Sequence, residues 1–202
     1  MMLFAEPVIP GLELRENFVG EDEERELIAY IEELGLSPFR SQGWTGKRLT
    51  RSFGWRYDFD DASFTESEPI PGWLLPLRER AAHFADLSPD EFAHALVIRY
   101  DPGAGIGWHR DRPQFDRVVG ISLGAPTMMR FRQRTPSGFR RASVELEPRS
   151  AYLLIGEVRS DWEHSIAAHQ ALRFSITFRS LSERGLRSRS AARPASAPRS
   201  AR

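Results

Sequence analysis

The stretch Arg173-Phe-Ser-Ile-Thr-Phe-Arg179 decides the fold. Its strict alternation puts Arg173, Ser175, Thr177 and Arg179 on one face of an extended strand, and Phe174, Ile176 and Phe178 on the other. The aromatic face needs a core. The polar face needs solvent, as on many antiparallel sheets, or a bound anion if it is turned inward, because buried guanidiniums otherwise lack acceptors. A dicarboxylate held bidentately by Arg173 supplies such an anion. The residues alone leave both readings open.

Upstream of this strand the texture stays that of short strands. The candidates are His94–Tyr100, Arg117–Leu123, Thr127–Arg132, Ala142–Glu147 and Ser150–Ile155, then Leu172–Arg179 itself. Turn residues separate them, as in Asp101-Pro-Gly-Ala-Gly105, Gly124-Ala-Pro126 and Thr135-Pro-Ser-Gly138. Strands at this spacing, without intervening helices, predict an antiparallel sandwich or jelly roll rather than a βαβ sheet. Before residue 93 the pattern is helical. Carboxylates in Gly20-Glu-Asp-Glu-Glu24 open a helix with Leu27, Ile28, Ile31 and Leu34 on one side, and Gly35 stops it. A second helix is predicted from about Trp73 to Phe84. The expected class is mostly β with flanking α: a jelly-roll (double-stranded β-helix) core at 93–181, preceded by N-terminal helices within 1–92. From residue 182 the composition collapses to Ser, Arg, Ala and Pro, which predicts a disordered tail.

The chain has 202 residues, enough for one domain, and its 28 basic and 28 acidic groups cancel. The absence of cysteine excludes disulfides, thiolate metal sites and cysteine nucleophiles. Any metal must therefore be held by histidine and carboxylate, and there are five histidines. His109-Arg-Asp111 offers an imidazole and a carboxylate two residues apart, on one face if the backbone is extended. A second histidine from a distant strand would complete a two-histidine, one-carboxylate triad, the arrangement of non-haem Fe(II) oxygenases. His164, in Trp162-Glu-His164, is the candidate; His169 competes but reads as an exposed turn residue, and His83 and His94 read as structural. No apolar run approaches the ~20 residues of a membrane span, and the first residues carry no secretion signal. A cytoplasmic, monomeric protein is expected.

Between the helices, residues 40–60 interleave Arg40, Lys47, Arg48, Arg51 and Arg56 with Trp44, Phe53, Trp55, Tyr57 and Phe59. Such a stretch can stack bases and neutralise phosphates, or its aromatics can simply alternate into a core. A second basic cluster, Arg130, Arg132, Arg134, Arg140 and Arg141, flanks the Thr135-Pro-Ser-Gly hairpin. It reads equally as a phosphate-tracking surface or a solvated hairpin.

Taken in order, Arg99-Tyr100-Asp-Pro-Gly103, His109-Arg-Asp111, Ile121-Ser-Leu-Gly124, Phe131-Arg132, Trp162-Glu-His164 and Arg173 to Arg179 resemble the catalytic core of the AlkB branch of Fe(II)/2-oxoglutarate dioxygenases. The resemblance covers close to half the chain. It implies Fe(II) held by His109, Asp111 and His164, with 2-oxoglutarate and O2 as co-substrates. Tyr100 and Arg173 would grip the distal carboxylate, with Ser175 beside them, and Arg179 would steady Asp111. It also implies a lid over the iron, for which residues 40–60 are the candidate, with Arg48, Arg51, Trp55 and Tyr57 as substrate contacts. The implied activity is oxidative dealkylation of N-alkylated bases in DNA or RNA. Three positions depart from the pattern: Ile98 and Ser175 stand where asparagines are frequent, and Pro113 where base-repair members often have an acid. A protein side chain as substrate, or a silent nucleic-acid-binding module, are the alternatives.

Overall fold

The computed structural model describes residues 9–41, 44–57 and 63–191, with backbone alone for residues 40, 41, 44, 45, 56 and 57. In chain order the elements are β1 (Leu12–Arg15), α1 (Glu21–Glu33), β2 (Ser37–Ser41), β3 (Trp44–Tyr57), β4 (Phe64–Glu66), α2 (Leu75–Phe84), β5 (Phe92–Tyr100) and β6 (Ile106–His109). They continue with β7 (Phe115–Gly124), β8 (Thr127–Thr135), β9 (Gly138–Leu146), β10 (Ala151–Leu154), α3 (Gly156–Ser160), β11 (Trp162–Ile166), β12 (Arg173–Leu181) and α4 (Glu183–Ala191).

The alternating C-terminal strand is β12, and it lies inside an eight-stranded sheet of order β1-β10-β7-β12-β5-β3-β2, with β4 on β3. A four-stranded sheet of order β6-β11-β8-β9 forms the second layer. Pairing among the described strands is antiparallel, and the two sheets make a jelly roll. The aromatic face of β12 settles where the main core sits. Phe174, Ile176 and Phe178 pack with Val119, Ile121 and Leu123 of β7, Ala95 and Val97 of β5, and the buried stripes of both N-terminal helices. Truncating one of these phenylalanines to alanine costs about 3–5 kcal/mol. Helix α1 begins with four carboxylates in its first turn, which complement the helix dipole. Helix α2 carries proline near its start, where no backbone donor is lost.

The other face of β12 does not meet solvent. Arg173, Ser175, Thr177 and Arg179 are all buried, turned between the sheets. A second apolar cluster, Met129, Phe131, Leu146, Leu154 and Trp162, closes the space between the layers.

Two expectations need correction. The part before residue 93 is more than the N-terminal helices and lid expected, because β1, β2 and β3 extend the main sheet. The tail is not structureless from residue 182: Glu183–Ala191 forms α4. Ser182 caps it, its hydroxyl accepting from Gly185 N at 3.1 Å and donating to Pro113 O at 2.6 Å. Gly185 lies so close to Gln114 O that no side chain fits there. Residues 192–202 lie outside the described residues.

Candidate active site

Strands β6 and β11 are neighbours in the smaller sheet, and their register pairs His109 directly with His164. The two rings stand 4.2 Å apart, centroid to centroid. β6 ends at His109, and the chain leaving it presents Asp111, whose Oδ2 is 4.0 Å from His164 Nε2. Among the described residues, no three such groups are drawn into a closed ligand shell. Two donors at right angles, each about 2.1 Å from one ion, lie about 3 Å apart, so His164 and Asp111 stand about 1 Å wider than a shared ion would hold them.

The protonation states suit a cation. His109 Nδ1 is 2.9 Å from Gly107 O; as donor there, it leaves Nε2 with the lone pair. Burial, with His109 close by, depresses His164 to about 3, so its imidazole is neutral. Burial also lowers His109. For Asp111, burial opposes ionisation, but the Arg179 guanidinium and both imidazoles overcome it and hold the carboxyl well below the usual range. Two neutral imidazoles and one carboxylate fit a divalent ion such as Fe(II).

The second half of the site lies deeper. Arg173 is 1% exposed and stands opposite Tyr100 across β5, its guanidinium carbon 5.0 Å from the Tyr100 ring. Nη2 donates to Ser122 Oγ at 3.1 Å, while Nε and Nη1 find no acceptor among the described residues. An unsatisfied, buried guanidinium is what a dicarboxylate's far end would complete. Ser175 is buried between Ser122 and Ile98. Tyr152 of β10, pushed up to about 12 by burial, reaches toward the same region, where Arg173 and Tyr100 act on it. It can do so because its cross-strand partner is Gly120, where any side chain would overlap its ring. His169 is not the exposed turn residue expected: it is half-buried, with its ring 6.3 Å from Tyr100.

A cavity of about 560 Å³ opens over His109 and Asp111. Phe39, Leu96, Ile98, Ile106 and Phe115 give it apolar walls, and Arg48, Thr50, Ser52, His94 and Arg179 add polar points. The expected substrate contacts divide. Arg48 enters the cavity, 6% exposed, stacked 3.9 Å from the Phe39 ring, with its Nε unpartnered among the described residues. Arg51 and Trp55 do not line it: Arg51 pairs with Glu68 at 2.7 Å, and Trp55 stacks on Phe64 at 5.5 Å. Arg51 falls on the opposite face of β3 from Arg48 by simple alternation, and Trp55 lies beyond Gly54, whose φ of +74° and contact with Ala93 O mark where β3 turns from β5 onto β4. Before that turn, alternation sends Arg48, Thr50 and Ser52 inward. The side chain of Tyr57 lies outside the described residues.

Sequence reasoning missed His94, Tyr152, Thr50 and Ser52. His94 faces Arg179 across β5, its Nδ1 3.4 Å from Arg179 Nη1. The mid-strand Gly120 was a legible signal of close approach; nothing marked His94.

The chain matches the family model of the 2OG-Fe(II) oxygenase superfamily over residues 16–179. It is 29% identical over 165 residues to the tRNA (carboxymethyluridine(34)-5-O)-methyltransferase alkbh8 of Xenopus tropicalis, which covers 78% of this chain and 25% of that protein. It is 27% identical over 191 residues to the Alkylated DNA repair protein ALKBH8 homolog of Arabidopsis thaliana, covering 80% and 52%. Against the alpha-ketoglutarate-dependent dioxygenase AlkB of Salmonella typhimurium, identity is 27% over 216 residues, covering 89% and 94%. The chain thus spans a quarter to about half of the ALKBH8 relatives and nearly all of AlkB. The solved structure of OsALKBH1 superposes with a TM-score of 0.67 at 17% identity, over 86% of this chain and 98% of that one, a likeness of fold. With a match spanning the paired histidines and the buried arginine strand, the chain belongs to the 2OG-Fe(II) oxygenase superfamily, in its AlkB-like branch, whose reactants are Fe(II), 2-oxoglutarate and O2.

Proposed function

We propose that this chain removes N-alkyl groups from nucleobases of DNA or RNA by oxidation, with Fe(II) on His109, Asp111 and His164, and 2-oxoglutarate on Tyr100, Arg173 and Ser175. The observation that carries the reading is the cavity: about 560 Å³, apolar-walled, and opening on His109 and Asp111 with Arg48 in its wall. A flat base stripped from its stack needs such walls and a few polar anchors. The names of the AlkB and ALKBH8 relatives, one of them an alkylated DNA repair protein, support the same substrate class.

When bound, iron and 2-oxoglutarate together supply the oxidising power that activates dioxygen and hydroxylates a substrate C–H bond. The chain's own residues set the conditions. Arg173 neutralises the distal carboxylate with the two nitrogens that now lack acceptors, and Tyr100 packs against the guanidinium. Arg179 keeps Asp111 ionised and oriented. Leu96, Ile98, Ile106 and Phe115 exclude water from the reacting centre. Arg48 offers a desolvated cation to a base carbonyl or to a phosphate. The hydroxymethyl product on nitrogen then breaks its N–C bond, releasing formaldehyde and the bare amine.

The test incubates the iron-loaded chain with 2-oxoglutarate and methylated or etheno-adducted single and double strands, beside methylated peptides. Mass spectrometry should show restored bases in at least one nucleic acid. Oxidation of peptides alone would transfer the reading to a protein substrate.

A further inference from the structure

The outer face of the four-stranded sheet serves neither the core nor the oxidation site. Along β8, Met129 and Phe131 are buried, so Arg130, Arg132 and Arg134 point outward. On β9, Arg141 stands directly opposite Arg132, and Phe139 opposite Arg134. Side-chain contacts tie these to Trp108 on β6. The Arg132 guanidinium carbon is 4.5 Å from the Trp108 ring and 4.7 Å from Phe139. Arg130 is 5.3 Å from Trp108, and Arg141 is 5.4 Å from Phe139. Arg140 is excluded: its alternate position puts it on the opposite face of β9, exposed and over Trp162. The five-arginine cluster of the sequence therefore resolves into four outward arginines on one aromatic-laced face.

Two features of this face ask for a polyanion. Like charges directly opposite in a strand pair are destabilising, yet Arg132 faces Arg141. Glu163, 2.6 Å from Arg132, offsets one of the four cations, and Glu145 stands farther along, opposite Met128. In addition, Trp108 belongs both to this face and to the cavity wall, one residue before His109. A chain lying across the face, about 14 Å at about 4.8 Å per strand, therefore runs to the cavity mouth.

We propose that this face binds a single nucleic-acid strand beside the target base, with Arg130, Arg132, Arg134 and Arg141 on its phosphates and the exposed Phe139 stacking a base. The proposal rests on the nucleobase reading above and adds the path of the strand. The exposed Phe139 and the half-buried Trp108 between the arginines favour nucleic acid over an acidic peptide, because a base has a face to stack and a carboxylate side chain has none.

The test uses fluorescence anisotropy of a labelled, unmodified single-stranded oligonucleotide with the full chain across a salt series. For Arg134→Ser/Arg141→Ser, affinity should fall about tenfold at low salt, and the slope of log affinity against log salt should shrink by about 0.7 per arginine. Phe139→Ala should weaken binding with the slope unchanged. The melting temperature of the double variant should hold or rise, since the Arg132–Arg141 repulsion is relieved. If the wild type binds and repairs oligonucleotides and the variants bind them equally, the face is refuted and the nucleobase reading stands. If the wild type neither binds nor repairs any oligonucleotide, the reading itself falls. Competition by poly-glutamate at equal charge, lost in the double variant, would overturn the nucleic-acid occupant.

Discussion

Arg179 reaches a single oxygen of Asp111 with two nitrogens: Nε and Nη2 each stand 2.9 Å from Oδ1. Oδ2 is left turned toward His164, at 4.0 Å. One carboxylate oxygen is thus fixed and charge-balanced while the other stays available to a cation. His94, packed against the far nitrogen, limits the guanidinium from behind.

Arg179→Lys keeps the charge but loses the fork that fixes Oδ1. Metal affinity should fall about 10- to 100-fold, the usual scale for losing an outer partner of a ligand. Titration with Mn(II) in place of Fe(II) reads this directly, and unchanged affinity would show that Arg179 does not steady the ligand.

Arg173→Lys should raise the 2-oxoglutarate concentration needed for half-maximal turnover by about tenfold or more, with metal affinity kept. The orphaned Nε and Nη1 motivate this. A co-substrate curve that overlays the wild type would remove Arg173 from the dicarboxylate site.

Gly120→Ala places a methyl where the Tyr152 ring lies. Overpacking of this kind costs about 1–3 kcal/mol, and a displaced Tyr152 should also weaken co-substrate binding. Tyr152→Phe, which fits the same space, should keep the melting temperature and so separate the two effects.

In the metal-free chain, His164 is neutral down to about pH 3, whereas an unfolded histidine takes its proton near 6.5. The unfolded state therefore binds more protons in that window, and stability should fall as pH drops from about 6.5 toward 3. His164→Gln should flatten this part of a melting-temperature profile. A wild-type profile already flat across it would contradict a buried neutral imidazole.

β3 provides a contrast within one strand. Arg48→Met should raise the KM for an alkylated oligonucleotide without changing the 2-oxoglutarate requirement. Arg51→Ala removes a half-exposed pair with Glu68, a contact of about 0–1 kcal/mol, and should leave repair near wild type. The reverse pattern would mean that the lid lies over Arg51 instead.

What could be read from sequence follows from pattern length. Seven residues of unbroken alternation, Arg173 to Arg179, made β12 legible, and the two-residue spacing of His109 and Asp111 made two of the three proposed metal ligands legible. The burial of the polar face of β12 was not legible, because alternation does not say which side meets water. β6 and β11 were missed because four or five residues with a histidine and a tryptophan look like loop. Arg51 was misassigned although alternation already sets it on the opposite face from Arg48, and Trp55 because a sequence period does not show where β3 leaves β5 for β4. The helix after Ser182 lacked an apolar stripe; its anchors are a cap and a glycine contact.

The central claim is tested most directly by stoichiometry. Wild-type chain loaded with Fe(II) is given 2-oxoglutarate, O2 and an N-methylated single-stranded oligonucleotide, and succinate, formaldehyde and restored base are counted together. The account predicts the three in equal amounts, all abolished by His164→Ala. Succinate formed without formaldehyde or restored base from any methylated DNA or RNA, or full coupled turnover in the His164→Ala variant, would contradict it.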